Sequence, residues 1–110
     1  MEKLDYRELI KRVLEKYINH QGKDESIERQ LIFDTERDRY LIVYVGWEEE
    51  RQIYGCPVHI DIKEGKIWIE RDFTEVGLAN ELVELGVPKT DIVLAFRSPF
   101  VRQFTGFATA

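Results

Sequence analysis

The sequence predicts an α+β fold in which two helices accompany a four-stranded antiparallel sheet. Apolar residues recur every three or four positions over the first twenty residues, whereas the period changes to two between residues 26 and 71. The connections between the predicted strands are short, as in a meander of sequential strands. A chain of 110 residues can bury its own core, and we expect a single domain spanning residues 1–110.

The first helix is predicted over residues 5–17. Lys, Arg and Glu fill the positions between the apolar residues, so one face is apolar and the other is charged. Gly22 can adopt the positive φ that ends a helix, and it follows Asn19 and His20 as a stop signal. The apolar positions are Tyr6, Leu9, Ile10, Val13, Leu14, Tyr17 and Ile18.

Four strands are predicted next, each rich in β-branched and aromatic residues. Residues 40–45 are apolar on both faces, so we expect this strand to be central and covered on both sides. Pro57 cannot donate a ladder hydrogen bond and therefore predicts an edge or a bulge in the third strand. The strands cover residues 31–33, 40–47, 53–62 and 67–69. One apolar face of the third strand is predicted to hold Tyr54, Cys56, Val58, Ile60 and Ile62.

The second helix is predicted to begin at Thr74 as N-cap and to end at Gly86 and Pro88. Residues 92–96 are too short to assign to a strand or to a turn of helix. In the tail, residues 98–110, Pro99 and Gly106 discourage regular structure.

Charge and cysteine usage restrict the class of function. The chain has 21 Asp and Glu against 16 Lys and Arg, a net charge of -5, which argues against a surface that follows nucleic acid. Only residues 95–110 are basic, through Arg97 and Arg102. The first residues are charged, unlike those of a signal peptide, and no stretch approaches the ~18 apolar residues of a membrane span. Cys56 is the single cysteine, so it has no disulfide partner within the sequence. We expect a soluble, cytoplasmic protein.

Eight segments, in order and with matching gaps, carry a resemblance to a known family: residues 30–40, 45–47, 53–56, 59–63, 65–69, 82–83, 86–89 and 91–94. Together they resemble the XisI-like family, the fdxN element excision controlling factor proteins of cyanobacteria. The resemblance covers nearly the whole chain. It implies a small α+β protein that regulates excision of a DNA element by a separate recombinase, together with a companion protein of the XisH type that has a nuclease-like fold. It implies no catalytic residue.

One pattern offers an enzymatic alternative. Asp61 and Lys63 have the D-x-K spacing that places a metal-binding carboxylate and a lysine on one strand face, as in a metal-dependent nuclease. Asp34 or Asp38 is the candidate for a second carboxylate. The other interpretation is that Asp61 and Lys63 only solvate the outer face of the sheet.

Cys56 and His59 suggest a nucleophile and a base, but residues three apart point to opposite faces of a regular strand. They meet only if a bulge at Pro57 redirects them. His59 and Asp61 share a face. They either ligate a metal, form a His–carboxylate pair, or are ordinary surface residues of the sheet, and two ligands alone do not close a metal site.

Two segments are candidate surfaces for protein partners. Glu48, Glu49 and Glu50 form either a solvated hairpin tip or a docking site for a basic partner. The aromatic tail either wraps its own domain, or docks onto another subunit or partner, or stacks on single-stranded nucleic acid, which the charge disfavours. Four of the six Phe lie in this tail region: Phe96, Phe100, Phe104 and Phe107.

We therefore expect a non-enzymatic accessory factor that acts through protein partners, with no cofactor and no metal. The alternatives are a nuclease-like enzyme that uses Asp61 and Lys63, and a directionality factor that binds DNA directly. A homo-oligomer is left open. We expect the aromatic tail and the acidic loop to form one composite binding surface for a partner. Its candidate residues are Glu48, Glu49, Glu50, Phe100, Arg102, Phe104 and Phe107.

Overall fold

The computed structural model describes residues 4–20, 26–75 and 77–110. The elements, in chain order, are α1 (Tyr6–His20), β1 (Ile27–Asp34), β2 (Arg39–Glu48), β3 (Arg51–Lys63), β4 (Lys66–Asp72), α2 (Leu78–Glu84), a 3-10 turn (Lys89–Asp91), β5 (Ile92–Leu94) and α3 (Pro99–Arg102). The predicted stop signal at Gly22 lies outside the described residues. None of the described helices is both long and apolar enough to cross a membrane.

The five strands form one sheet in the order β1-β2-β3-β4-β5. The first four pair antiparallel, as predicted, and β5 pairs parallel to β4. The α+β class is confirmed, but the sheet has five strands and is mixed. A parallel pair needs a long crossover, and the segment from β4 to β5, which contains α2, provides it.

The hydrophobic core lies between the helices and one face of the sheet, which we call the inner face. The apolar stripe of α1 is buried against it, as the helical period predicts. β2 and β3 contribute alternate residues, as expected for strands with one buried face. The core residues include Leu9, Ile10, Val13, Leu14, Tyr40, Ile42, Val58, Ile60, Ile67, Ile69, Leu78, Leu82 and Ile92.

A β-bulge interrupts β3. Ile42 pairs with Val58 and Tyr44 with Gly55, so Cys56 and Pro57 together lie opposite the single residue between Ile42 and Tyr44. The bulge predicted from Pro57 is confirmed, and it shifts the alternation of the strand. The prediction of one continuous apolar face on β3 is wrong, because Tyr54 points to the opposite face and is 73% exposed.

The second face of the sheet, which we call the outer face, is covered only in part. Over β4 and β5 the tail covers it, since Val93 is fully buried and forms a bridge with Ala108. Over β1, β2 and the first half of β3, Ile32, Trp47 and Tyr54 on this face are exposed, whereas Asp61, further along β3, is buried. α1 packs on the inner face of β2, as expected. On its outer face Leu41, Val43 and Val45 are half-buried and Trp47 is exposed, so the expected coverage on both sides is incomplete there.

α2 begins later than predicted. Its N-cap is Gly77, and the Asp72 carboxylate accepts the backbone N–H of Leu78 at 2.8 Å. Asp72 also accepts the N–H and the hydroxyl of Thr74. The prediction of Thr74 as N-cap is wrong, because a carboxylate further back in sequence reaches the helix start through the folded loop.

Candidate functional site

Asp61 is at the centre of a polar cluster on the outer face of β3 and β4. An oxygen of its carboxylate lies 2.9 Å from His59 Nε2, and the other lies 3.8 Å from Lys63 Nζ. Lys63 Nζ also lies 3.6 Å from Glu70 Oε1. His59 and Asp61 share a face, as predicted, and of the alternatives left open there the structure shows the His–carboxylate pair. The interpretation of Asp61 as a solvated residue is wrong, because it is only 7% exposed.

Asp38, a proposed second carboxylate, lies away from Asp61. It accepts two hydrogen bonds from the Arg7 guanidinium of α1, at 2.6 and 3.1 Å, and one from the Tyr40 hydroxyl at 3.1 Å. The hydrogen bonds from Arg7 hold the pKa of Asp38 below its usual range. Both partners of Asp38 belong to the inner side of the sheet, so this carboxylate is committed to fixing α1 onto β2.

Asp34 is also committed elsewhere. It accepts the backbone N–H groups of Glu36 and Arg37 and lies 3.1 Å from the Arg37 guanidinium. These hydrogen bonds, above all the one from the Arg37 N–H, lower the pKa of Asp34. Within residues 4–20, 26–75 and 77–110 no three His, Cys, Asp or Glu side chains could together hold a metal ion.

Cys56 and His59 do not form a nucleophile–base pair. The Cys56 thiol donates to the Val58 carbonyl at 3.1 Å, while His59 is bound to Asp61. Burial raises the pKa of the Cys56 thiol, which disfavours the reactive thiolate. The bulge at Pro57 therefore does not bring the two side chains together.

A cavity of about 560 Å³ opens beside the start of α1. On its wall the Tyr6 hydroxyl donates to Asp91 at 2.5 Å, and Arg7 pairs with Asp38. Burial and the hydrogen bond to Asp91 raise the pKa of Tyr6 to about 12. Its charged wall residues are engaged with one another, so the cavity offers little chemistry of its own.

Glu48, Glu49 and Glu50 form the exposed tip of the β2–β3 hairpin, which we call the acidic tip. Glu49 has φ 55 and makes the turn. In the strand register Arg51 lies opposite Glu48 at the base of the tip. Arg51 is ten residues before Asp61 in β3. At ~3.3 Å per residue, the acidic tip lies roughly 30 Å along the strand from the Asp61 cluster.

The tail has an inner part and an outer part. Phe107 packs half-buried against the core, and Arg102 donates to the carbonyls of Arg97 and Ala95. The Arg102 guanidinium also lies 5.9 Å from the ring centroid of Trp68. These contacts agree with a tail that wraps its own domain.

The outer part of the tail consists of Phe100 and Phe104, which we call the aromatic ridge. They are 70% and 71% exposed, and their ring centroids are 5.5 Å apart in an edge-to-face arrangement. The segment is helical despite Pro99, because proline is favoured at the first position of a helix and Ser98 Oγ accepts the Val101 N–H. The ridge thus stands on an ordered helical turn.

The sequence did not predict a second apolar surface on the outer face of β1, β2 and β3. Strand alternation places six side chains there, and Ile32, Trp47 and Tyr54 are exposed. Because residues 40–45 are apolar on both faces, the sequence indicated a strand buried on both sides. An exposed apolar surface on this strand was therefore not predicted. We call it the bare strip: Ile32, Leu41, Val43, Val45, Trp47 and Tyr54.

Comparisons with known proteins agree with the resemblance found in the sequence. The family model described as XisI protein matches residues 1–109. A crystal structure of a XisI-like protein from Anabaena variabilis ATCC 29413 is 45% identical with a TM-score of 0.90, and covers 96% of both chains. That of fdxN element excision controlling factor XisI from the same organism is 35% identical with a TM-score of 0.86, again over 96% of both chains. No curated protein matches the chain. The chain belongs to the XisI family.

Proposed function

We propose that this protein is a non-catalytic accessory factor in the control of DNA-element excision, and that it acts by contacting protein partners. The observation that carries the proposal is the likeness to fdxN element excision controlling factor XisI, at 35% identity over 96% of both chains. The likeness extends over the whole fold, and this supports a similar role for the present chain.

The state of Asp61 supports an accessory role over that of a nuclease. A metal-dependent nuclease needs carboxylate oxygens that are free to bind the ion. Here one oxygen of Asp61 faces His59 and the other faces Lys63. Asp34 and Asp38 are bound to other partners, and Glu70, the other carboxylate of the cluster, lies 3.6 Å from Lys63 Nζ.

The charge distribution supports contact with proteins over direct binding to duplex DNA. Strong non-specific affinity requires about 6 to 10 phosphate contacts, whereas the net charge is -5. Arg102 of the basic tail is engaged with backbone carbonyls and with Trp68. A role in DNA transactions then depends on a partner that supplies the DNA contacts.

The acidic tip is the surface that we assign to a nuclease-like companion of the XisH type. Such a protein must present basic side chains to hold phosphates, and a projecting cluster of carboxylates steers encounters with a cationic surface. The tip and the aromatic ridge are far apart, so they are treated as two contact surfaces instead of the composite predicted from the sequence.

An excision assay tests the proposed function. A cell that carries the recombinase, the companion and a reporter element is compared with and without this protein, and the excision junction is measured by quantitative PCR. We expect junction formation to depend on the protein and to be unchanged by Asp61→Asn, with a thermal melt as the control for folding. Loss of activity in a folded Asp61→Asn variant would support an enzyme, and junctions that form equally without the protein would exclude this role.

A further inference from the structure

The two edges of the sheet differ in what covers them. At one edge β5 has only three residues and the tail lies along it, since the Ala108 N–H donates to the Ile92 carbonyl at 2.9 Å and Val93 forms a bridge with Ala108. At the other edge β1 has eight residues and pairs with β2. Within residues 4–20, 26–75 and 77–110 no strand pairs with its other side, which we call the open edge. The tail therefore blocks one edge of the sheet, whereas the described chain places no strand on the other.

β1 lacks the features that keep an edge strand from pairing with another chain. Natural edge strands are short, or carry a proline, a lysine or a bulge. β1 has neither Pro nor Lys, and its register with β2 is continuous over all eight residues. Of its three charged residues, Arg29 lies over the Tyr44 ring at 5.5 Å, Asp34 pairs with Arg37 at 3.1 Å, and only Glu28 is exposed. β1 thus has the properties of a strand that accepts a further strand.

The hydrogen bonds to β2 determine which backbone groups of β1 face the open edge. Ile27 lies opposite Gly46, so Ser26 lies opposite Trp47, and the Trp47 N–H donates to the Ser26 carbonyl at 3.2 Å. In an antiparallel pair, residues that bond to the neighbouring strand alternate with residues that do not. The even-numbered residues of β1 therefore bond to β2. The odd-numbered residues 27, 29, 31 and 33 direct their N–H and C=O groups toward the open edge.

This row of residues fits the same row of a second copy. A two-fold axis perpendicular to the sheet at Gln30, the midpoint of the row, places β1 of one copy antiparallel to β1 of the other. Ile27 of one copy then lies opposite Phe33 of the other, and residue 31 lies opposite residue 29. Because both rows point toward the axis, each donor meets an acceptor, and one symmetric contact forms the whole ladder.

The side chains support the same register. Paired residues share a face of the sheet, so Gln30 faces its own copy on the outer face and Glu28 faces Ile32. Moving the axis one residue toward Asp34 would place Glu28 opposite Asp34, and moving it one residue the other way would place Arg29 opposite its own copy. Like charges directly opposite each other destabilise a strand pair. The register that aligns the backbone groups is thus also the one that avoids opposed like charges, so the open edge is complementary to itself.

We infer that β1 is a self-association edge, through which two five-stranded sheets join into one continuous sheet in a symmetric dimer. A two-fold axis perpendicular to the sheet keeps the inner faces of both copies, with their helices, on the same side. The inference goes beyond the proposed function. It is tested on the purified chain alone, so its failure would leave the accessory role unaffected.

A charge exchange at Gln30 tests the axis. Gln30→Lys and Gln30→Glu should each raise the dimer dissociation constant several-fold, because each places two like charges at the axis, in a pair whose side chains lie close together. An equimolar mixture of the two variants should form a heterodimer tighter than either variant alone, since Lys then faces Glu. Gln52→Lys and Gln52→Glu are the matched controls, since Gln52 is an exposed residue of β3 outside the proposed contact.

Analytical ultracentrifugation over a concentration series measures these constants. A wild-type protein that stays monomeric at about 100 μM overturns the inference. So does a dimer that the Gln30 variants weaken no more than the Gln52 variants do, or a mixture no tighter than the single variants.

Amide hydrogen exchange of the wild-type protein tests the same contact without a substitution. The N–H groups of Leu31 and Phe33 gain acceptors in the dimer, so their exchange should slow as the protein concentration rises. The N–H groups of Gln30 and Ile32 bond to β2 in both states and are the internal controls. Exchange at Leu31 and Phe33 that does not change while a dimer forms would place the contact elsewhere and contradict the inference.

Discussion

The Arg102 guanidinium lies over the ring of Trp68, 5.9 Å from its centroid, and so connects the tail to the outer face of the sheet. Lys63 Nζ lies 5.2 Å from the same ring. Trp68 is thus shared by the tail and by the polar cluster around Asp61. The contact holds the tail in place while Phe100 and Phe104 remain exposed.

The two parts of the tail should respond differently to truncation. We expect Phe107→Ala to lower the free energy of unfolding by about 1–2 kcal/mol, since Phe107 packs half-buried on the core. Phe104→Ala should change it by less than about 0.5 kcal/mol, because the ring is exposed. Urea unfolding monitored by circular dichroism, at a concentration where the protein is monomeric, measures both. Equal losses in the two variants would mean that the ridge also belongs to the core.

Gly46 should not tolerate a side chain. A Cβ at this position would overlap the Ser26 carbonyl oxygen and lie 2.9 Å from the Ile27 Cα, at the start of β1. Gly46→Ala should therefore destabilise the protein by about 1–3 kcal/mol, as overpacking does. Gly55→Ala is the control, since a Cβ there meets nothing within 4 Å. Thermal melts compare the two, and a Gly46→Ala variant as stable as Gly55→Ala would contradict the close approach of β1.

The Arg7–Asp38 pair should make stability depend on pH in the acid range. The folded-state pKa of Asp38 lies below its usual value, so the pair stabilises the protein above the unfolded pKa of ~3.9 and is lost as the pH falls through the folded pKa. We expect Arg7→Met to lower the melting temperature at pH 7, and this deficit to shrink as the pH is lowered toward 2 and Asp38 becomes protonated. Arg12→Met, another exposed position on α1, is the control. A deficit of equal size at both pH values would exclude this pair as its cause.

The purified protein should not cleave DNA with Mg²⁺ or Mn²⁺. The cluster around Asp61 offers a metal ion no free pair of carboxylates, because His59 and Lys63 occupy that side chain. Supercoiled plasmid incubated with the protein and either ion, and then resolved on a gel, provides the measurement. Trace cleavage that is unchanged in Asp61→Asn would come from a contaminant, whereas cleavage abolished by that substitution would restore the nuclease interpretation.

The acidic tip should control how fast the companion binds. Reversing one charge in an exposed cluster mainly changes the association rate, so Glu49→Lys should lower that rate several-fold and weaken its dependence on salt. Glu64→Lys is a close control: Glu64 also lies exposed in a hairpin turn with positive φ, 53 against 55 for Glu49. Stopped-flow or surface-binding kinetics separate the two variants. Equal effects would indicate a response to net charge alone.

Some features of this fold follow from local patterns in the sequence. The period of three to four around Leu9 and Val13 produces α1, and the period of two around Ile42 and Ile60 produces the strands that receive it. Asp61 and His59 share a face because they are two apart on one strand, so their contact could be predicted. Pro57 indicated the bulge because it cannot donate to a ladder.

Other features are decided by the tertiary structure. Residues 40–45 are apolar on both faces of the strand. This pattern does not determine whether the chain's own tail covers the second face or leaves it exposed. Only the position of the tail, over Trp68 and Val93, leaves the bare strip uncovered. In the same way β5 joins β4 in parallel through contacts between segments distant in sequence, as in the pairing of Ile67 with Ile92. Local periodicity determines which residues share a face, whereas packing between distant segments determines what covers it.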